Sequence, residues 1–88
     1  MKKYPNIAKV ISRYRKMKGY TPKQLNLDLG WPEHGMIYHI ERAKSSLPPD
    51  KIAQAAHLLN ISTECIIEAM GKDYIENITA ISKASPLF

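Results

Sequence analysis

The residues best able to bind a ligand lie together between positions 33 and 44. If this segment is helical and Ile37 and Ile40 point to the core, the opposite face holds residues at i, i+3, i+4 and i+7. These residues are Gly35, Tyr38, His39 and Arg42. Tyrosine and histidine donate and accept hydrogen bonds, arginine donates them, and glycine lets a ligand approach the backbone closely. The pattern predicts a hydrogen-bonding surface; the alternative is an ordinary solvated helix face.

Patterns typical of catalysis or metal binding are missing from the sequence. His34, His39 and His57 are scattered, and the spacing of His34 and His39 is not a usual metal spacing. The sequence has no Ser/His/Asp set and no glycine-rich phosphate loop. Cys65 has no partner for a disulfide or a CxxC site, so we expect a buried structural thiol. The sequence predicts a protein that is not an enzyme and that binds no cofactor and no metal.

Charge is distributed unevenly along the chain. Residues 1–51 hold eleven Lys and Arg against four Asp and Glu, and residues 52–88 hold two against four, which gives +7 and −2. A basic half favours a polyanionic partner, and nucleic acid is the commonest such partner of a small basic helical domain. The alternative is a basic face that only raises solubility.

Length and hydropathy favour one domain. Eighty-eight residues support a single core. The longest apolar runs are far shorter than the roughly 18 residues that cross a bilayer. The first residues also lead into no signal-like apolar stretch. We therefore expect a soluble, cytoplasmic protein.

The first three predicted helices follow from apolar spacing and capping residues. Helix 1 is predicted over 6–18, with Asn6 as its N-cap and Gly19 after its end. Its inward residues would be Ile7, Val10, Ile11, Tyr14 and Met17. Helix 2 opens with the N-cap Thr21, a proline at its first position and Gln24, which completes a capping box. A Gly-Trp-Pro break separates it from helix 3, which ends near Ala43.

Three more helices are predicted in the rest of the chain. Helix 4 lies over 49–60, with Asn60 at its end, and helix 5 is capped by Ser62 and ended by Gly71. The inward residues of helix 5 would be Ile66, Ile67 and Met70. A sixth, weaker helix starts with the capping pair Asp73 and Glu76. With no strand pattern, the predicted fold class is all-α: a compact bundle of about five helices with a sixth at the C-terminus.

Residues 7–67 resemble the lambda-repressor-like (Cro/repressor, XRE-type) helix-turn-helix family of bacterial and phage regulators. The matching residues are Ile11, Arg15, Gly19, Thr21, Leu25, Leu29, Gly30, Ile37, Ile40, Glu41, Pro48, Ile52, Ala55, Leu58, Ile61 and Ser62. The resemblance implies a DNA-binding domain over 1–70, with the helix-turn-helix at about 21–43, and a C-terminal extension over 71–88.

The resemblance also implies which side chains meet DNA. Helix 3 would enter the major groove. The residues that read bases would be Glu33, His34, Gly35, Tyr38, His39 and Arg42. The cations that contact phosphates would be Lys9, Arg13, Lys16, Lys23 and Lys44. Arg15 and Glu41 match paired positions of the family, and we expect a partly buried ion pair that orients helix 3.

Several residues depart from the family pattern. Pro22 stands where the family has glutamine, Asn26 where it has alanine, and Ala43 where it has glycine. The segment from Leu29 to Glu41 is one residue longer than usual. We hypothesise that this extra residue moves helix 3 outward and makes room for Asn26, whose polar group would otherwise meet a tight helix contact. Pro22 removes one phosphate ligand, and the negative charge of Glu33 would lie near the groove.

Two functions remain open at this point. The first is a homodimeric, phage- or bacteria-type transcriptional regulator, a repressor, that binds double-stranded DNA. The second is a protein-interaction module on the same fold, such as an antitoxin, a phage inhibitor or a polymerase-binding partner. Apolar residues of the tail could form a dimer interface or could cover the core of their own chain. They are Ile75, Ile78, Ile81, Leu87 and Phe88.

Overall fold

Five α-helices make up the fold in the computed structural model, which describes residues 3–31 and 35–84. They are α1 (Pro5–Lys18), α2 (Pro22–Asp28), α3 (Met36–Glu41), α4 (Ile52–Leu59) and α5 (Thr63–Ala84). A 3-10 turn, Pro49–Lys51, leads into α4, and the described residues contain no strand. The predicted all-α class with about five helices is confirmed. Four residues with a predicted role lie outside the described residues: Glu33, His34, Leu87 and Phe88.

A single core lies among the five helices, where α1 packs against α3, α4 and α5 and α2 packs against α3. It is formed by buried aliphatic side chains. The largest of them are Ile7, Ile11, Leu25, Leu29, Ile37, Ile40, Leu47, Leu59 and Ile66. Full burial of each such side chain contributes about 1.5 to 3 kcal/mol relative to exposure. Because Ile37 and Ile40 are both in this core, the opposite face of α3 points outward.

A long-range contact caps the N-terminus of α1. The helix begins at Pro5. The carboxylate of Asp73, in α5, accepts hydrogen bonds from backbone N–H groups in the first turn of α1. Asp73 Oδ1 accepts from Asn6 N at 2.8 Å, and Oδ2 accepts from Ile7 N at 3.0 Å. The prediction that Asn6 is the N-cap is therefore wrong. Asn6 lies inside the first turn, and its side chain donates to Asp73 and Glu76.

The C-terminal segment is one long helix. α5 continues through Gly71 to Ala84, so the predicted end of helix 5 at Gly71 and the separate sixth helix are wrong. Asp73 and Glu76 bind the start of α1 and do not cap a helix of their own. Because a glycine inside a helix costs only about 1 kcal/mol, packing against α1 and α4 can carry the helix through it. Ser62 does cap α5, accepting from Cys65 N at 3.2 Å.

Three expectations about burial are also wrong. Met17 is 70% exposed and Ile67 is 53% exposed, although their spacing placed them in the core. Cys65 is only partly buried. Met17 and Ile67 lie at the margins of their apolar stripes, where the spacing alone does not show how far the neighbouring helix reaches.

Residues with a left-handed backbone end three of the helices. Gly19, Ala43 and Asn60 have φ values of 76°, 63° and 57°. After α3, Ala43 N donates to Ile40 O and Lys44 N donates to His39 O, each at 3.0 Å. These two bonds form a Schellman motif, in which glycine is the usual residue at the left-handed position. Gly19 and Asn60 were both expected to end their helices, and they do.

Replacing Ala43 with glycine should stabilise the protein. An L-residue in the left-handed region costs about 1 to 2 kcal/mol, which exceeds the extra chain entropy that glycine loses on folding. We expect Ala43→Gly to raise the free energy of unfolding by about 0.5 to 1 kcal/mol, measured by denaturant titration. The matched control is Asn60→Gly, which should change it less because asparagine tolerates this conformation. A lower stability for Ala43→Gly would contradict the assignment of strain at this position.

Candidate nucleic-acid interface

The candidate interface is built on α2 and α3, which are joined through residues 29–35. Thr21 Oγ1 accepts from Gln24 N at 3.1 Å, so the predicted N-cap of α2 is present. The Gln24 side chain donates instead to Asp28 Oδ1, and the predicted capping box is therefore only half formed. Pro22 occupies the first helical position.

The start of α3 is held by Asn26 of α2. This asparagine is buried, and its Oδ1 accepts from Ile37 N at 3.3 Å. The bond satisfies one donor of the first turn of α3, which has no side-chain cap of its own. Asn26 therefore does not leave an unpaired polar group against α3. Instead it links the two helices directly.

Gly35 lies just before α3 and not on its outward face. It is the N-cap residue and has a φ of 31°, in the left-handed region. A Cβ at this position would meet Tyr38 Cβ at 3.3 Å. This backbone conformation favours glycine whether or not DNA approaches the residue.

Side chains from the 3-10 turn and from the first turn of α4 bind the other end of α2. Lys51 Nζ donates to Leu29 O at 2.7 Å, and Gln54 Nε2 donates to Asp28 O at 2.9 Å. These bonds satisfy carbonyl groups that a helix end leaves without a partner. Lys51 also lies 5.7 Å from the centroid of the Trp31 ring. Trp31 is partly buried against the core, so it is a packing residue at the start of the turn.

The predicted pair Arg15 and Glu41 lies together between α1 and α3. Arg15 Nε and Nη2 donate to the two carboxylate oxygens at 2.5 and 2.9 Å, and Nη1 donates to Tyr20 O at 2.7 Å. Both side chains are at least 85% buried. The hydrogen bond to Glu41 raises the pKa of Arg15 above its ordinary value, while burial of the guanidinium acts in the opposite direction, so Arg15 stays charged. This bidentate salt bridge joins the end of α3 to α1.

Three predicted residues share the exposed face at the end of α3. Tyr38 is 52% exposed, and its hydroxyl accepts from Arg42 Nη1 at 2.8 Å. The Arg42 guanidinium carbon lies 5.0 Å from the centroid of the same ring. The His39 ring packs against Tyr38 edge-on, with the ring centroids 5.8 Å apart. The face therefore carries two aromatic rings and one cation in mutual contact.

The predicted phosphate-binding cations are all exposed, and they fall into two groups around this face. Lys23 borders a cleft of about 310 Å³ between α2 and α3, which Asn26, Gly35 and Tyr38 also line. A second cleft, of about 520 Å³, runs between α1 and the end of α3. Its basic lining residues are Lys9, Arg13 and Lys16. Lys44 follows α3 directly, beside the same end of the helix.

The predicted dimerisation residues lie on the free side of α5. Ile75 and Ile81 are each 63% exposed and Ile78 is 45% exposed. Tyr74 is exposed on the same helix. Ile78 and Ile81 line a groove of about 730 Å³ whose surface is mostly apolar. Among the described residues, Ile75, Ile78 and Ile81 are therefore exposed and do not cover the core of their own chain.

Three residues have structural roles that the sequence did not predict: Asp73, which was expected to cap its own helix, and Lys51 and Gln54, which were given no role. Each acts on a helix terminus that is distant in sequence, as in the 66-residue separation of Ile7 and Asp73. The one signal in the sequence was Asp73, an acidic residue at a position where the apolar pattern of α5 predicts burial. A buried carboxylate needs hydrogen-bond donors.

Two features are absent from residues 3–31 and 35–84. No helix there is long and apolar enough to cross a membrane. No group of three or more histidine, cysteine, aspartate or glutamate side chains is placed there to hold a metal ion.

Comparison with known proteins gives a likeness of fold. No protein-family profile and no curated protein matches the sequence. Among solved structures, the crystal structure of the clp gene regulator ClgR from Corynebacterium glutamicum matches with a TM-score of 0.65. The match covers 93% of this chain and 87% of that chain, at 19% identity. The two proteins share a fold. That likeness extends over nearly the whole chain.

Proposed function

We propose that this protein is a sequence-specific, double-stranded DNA-binding transcriptional regulator, a repressor of the phage type that acts in the cytoplasm. In this proposal α3 enters the major groove. The observation that carries it is the exposed face of Tyr38, His39 and Arg42, presented by a helix that Asn26 holds at one end and Arg15 at the other. A gene regulator with the same fold adds support.

The cations around α3 suit contacts with the DNA backbone. Lys23 stands at the start of α2, and Lys44 follows α3. The basic cleft of Lys9, Arg13 and Lys16 continues this positive surface along α1. Phosphate contacts of this kind position a protein on the duplex, while contacts with base edges supply specificity. Glu33 and His34 complete the proposed base-reading set and lie outside the described residues.

Selection of bound sequences from random duplex DNA tests the proposal. A regulator of this type should enrich one motif with two-fold symmetry, because a dimer places two copies of α3 in successive major grooves. Failure of the wild-type protein to enrich any sequence would reject the proposal. In that case a stable protein partner in a pull-down would favour the alternative, a protein-interaction module on the same fold.

We propose that the protein works as a homodimer joined through α5. Ile67, Tyr74, Ile78 and Ile81 succeed one another at spacings of seven, four and three residues, which is the spacing of a coiled-coil seam. All four side chains are exposed, so the seam is available to a second helix. Gly71 falls in the same seam and lets another helix approach closely.

The seam is also suited to pair with a second copy of itself. Ile67 and Ile81 lie at equal distances in sequence on either side of Tyr74, so an antiparallel pair centred on Tyr74 would place Ile67 of one copy against Ile81 of the other. A two-fold interface requires this self-complementarity. The same pairing brings Glu64 of one copy near Lys83 of the other, so the exposed charges are complementary.

A charge placed in the seam should separate the dimer. We expect Ile78→Glu to be monomeric at micromolar concentration in sedimentation equilibrium, because each copy would bring a carboxylate into an apolar contact. Thr79→Glu is the matched control, since Thr79 is exposed on α5 away from the seam, and it should stay dimeric. A monomeric wild-type protein, or an Ile78→Glu variant that stays dimeric, would contradict the interface.

A further inference from the structure

The contact between Tyr38 and Arg42 fixes a side chain that would otherwise be mobile. The Arg42 guanidinium lies over the tyrosine ring and donates Nη1 to the hydroxyl at 2.8 Å, so it is held at two points. His39 packs against the same ring and limits its movement. Arginine loses much rotamer freedom on binding, and a side chain fixed in advance loses less of it.

This contact also determines which hydrogen-bonding groups face outward. An arginine carries five N–H donors and no acceptor, and one of the five is used on Tyr38. Because the tyrosine hydroxyl accepts from a cation, its own proton must point away from Arg42. The pair therefore presents several adjacent donors on the exposed face of α3.

Adjacent donors match one base of the four in the major groove. Guanine presents two acceptors there, N7 and O6. Adenine presents one acceptor and one donor, thymine one acceptor and a methyl group, and cytosine a donor. Two donors at neighbouring positions therefore find two partners only on guanine.

We infer that Arg42 selects a guanine at one position of the DNA site and that Tyr38 is the positioning residue that holds it there. The inference rests on the proposed function and adds a base identity to it. It also distinguishes base reading by Arg42 from a phosphate contact, because a phosphate contact would use the same charge without reading a base.

The test compares the wild-type protein with Arg42→Lys and Tyr38→Phe on a selected duplex and on duplexes with each base pair replaced in turn. We expect the wild type to prefer guanine about tenfold at one position of each half-site. Arg42→Lys keeps the charge but loses the planar fork and the hold of Tyr38 on it, so the preference should fall to about threefold or less while affinity for a scrambled duplex stays within about twofold. Tyr38→Phe keeps the ring but not the hydroxyl, and its preference should be intermediate.

Lys44→Ala serves as the phosphate control and should weaken binding to all the duplexes alike. Thermal melting should give the same Tm for the wild type, Arg42→Lys and Tyr38→Phe, because both replaced side chains are exposed. An Arg42→Lys protein with the wild-type base preference would overturn the inference and leave the proposed function standing. A wild-type protein without any base preference would reject the proposed function, and that result would be visible before any variant is measured.

Discussion

Arg15→Ala is expected to lower the free energy of unfolding by about 3 to 5 kcal/mol, the usual effect of removing one partner from a buried ion pair. The variant would leave the Glu41 carboxylate largely buried without its two N–H donors. It would also leave Tyr20 O without the hydrogen bond from Arg15. Denaturant titration measures the change, and DNA binding should be lost with the fold.

Replacing both partners separates the cost of a lone charge from the value of the pair. Arg15→Met with Glu41→Leu removes both charges and keeps most of the apolar volume, so it should be clearly more stable than Arg15→Ala. If the pair also orients α3, the double variant will fold and yet bind DNA more weakly than the wild type. An Arg15→Ala protein as stable as the wild type would disprove the structural role of this contact.

Asp73→Ala should cost about 3 kcal/mol and lower the Tm by about 15 °C. The substitution removes three hydrogen bonds and leaves Asn6 N and Ile7 N without an acceptor beside the core. It also removes a negative charge from the positive end of the α1 dipole. Differential scanning calorimetry gives both quantities.

Two further variants test whether loss of the cap causes this destabilisation. Glu68→Ala removes an exposed carboxylate from the same helix and should change the free energy of unfolding by less than about 0.5 kcal/mol. Asp73→Asn keeps one acceptor oxygen and should fall between the wild type and Asp73→Ala. Equal stabilities for Asp73→Ala and Glu68→Ala would refute the cap. A large loss in Asp73→Ala would mean that residues beyond 70 contribute to the stability of the helical domain.

Local rules explain which parts of the fold could be predicted from the sequence. Thr21, Gly19 and Asn60 each act on a helix end within a few residues, so the pattern of residue types was enough to place them. Asn6 and Gly71 were misread because distant residues decide their roles. Asp73 replaces Asn6 as the cap, and packing carries α5 through Gly71. Local propensity is a weak guide wherever a tertiary contact offers more.

In the candidate site, too, some features follow from the local sequence and others depend on tertiary contacts. The outward face of Tyr38, His39 and Arg42 follows from the helical period and the buried positions of Ile37 and Ile40. The contact of Arg42 with Tyr38 does not follow from it, because spacing brings two side chains near each other without fixing their hydrogen bonds. The bond from Ile37 N to Asn26 likewise depends on the course of the turn between α2 and α3.

The central claim is that this protein binds duplex DNA with sequence specificity, and salt-dependent affinity tests it most directly. The measurement is the Kd of the wild-type protein for a selected duplex and for a scrambled duplex of equal length, over a range of salt concentrations. We expect the selected duplex to bind at least about 1000 times more tightly. If all five proposed cations contact phosphates, the slope of log K against log salt should be about −4.5 for each bound protomer. Equal affinity for both duplexes, or affinity that does not change with salt, would contradict the account.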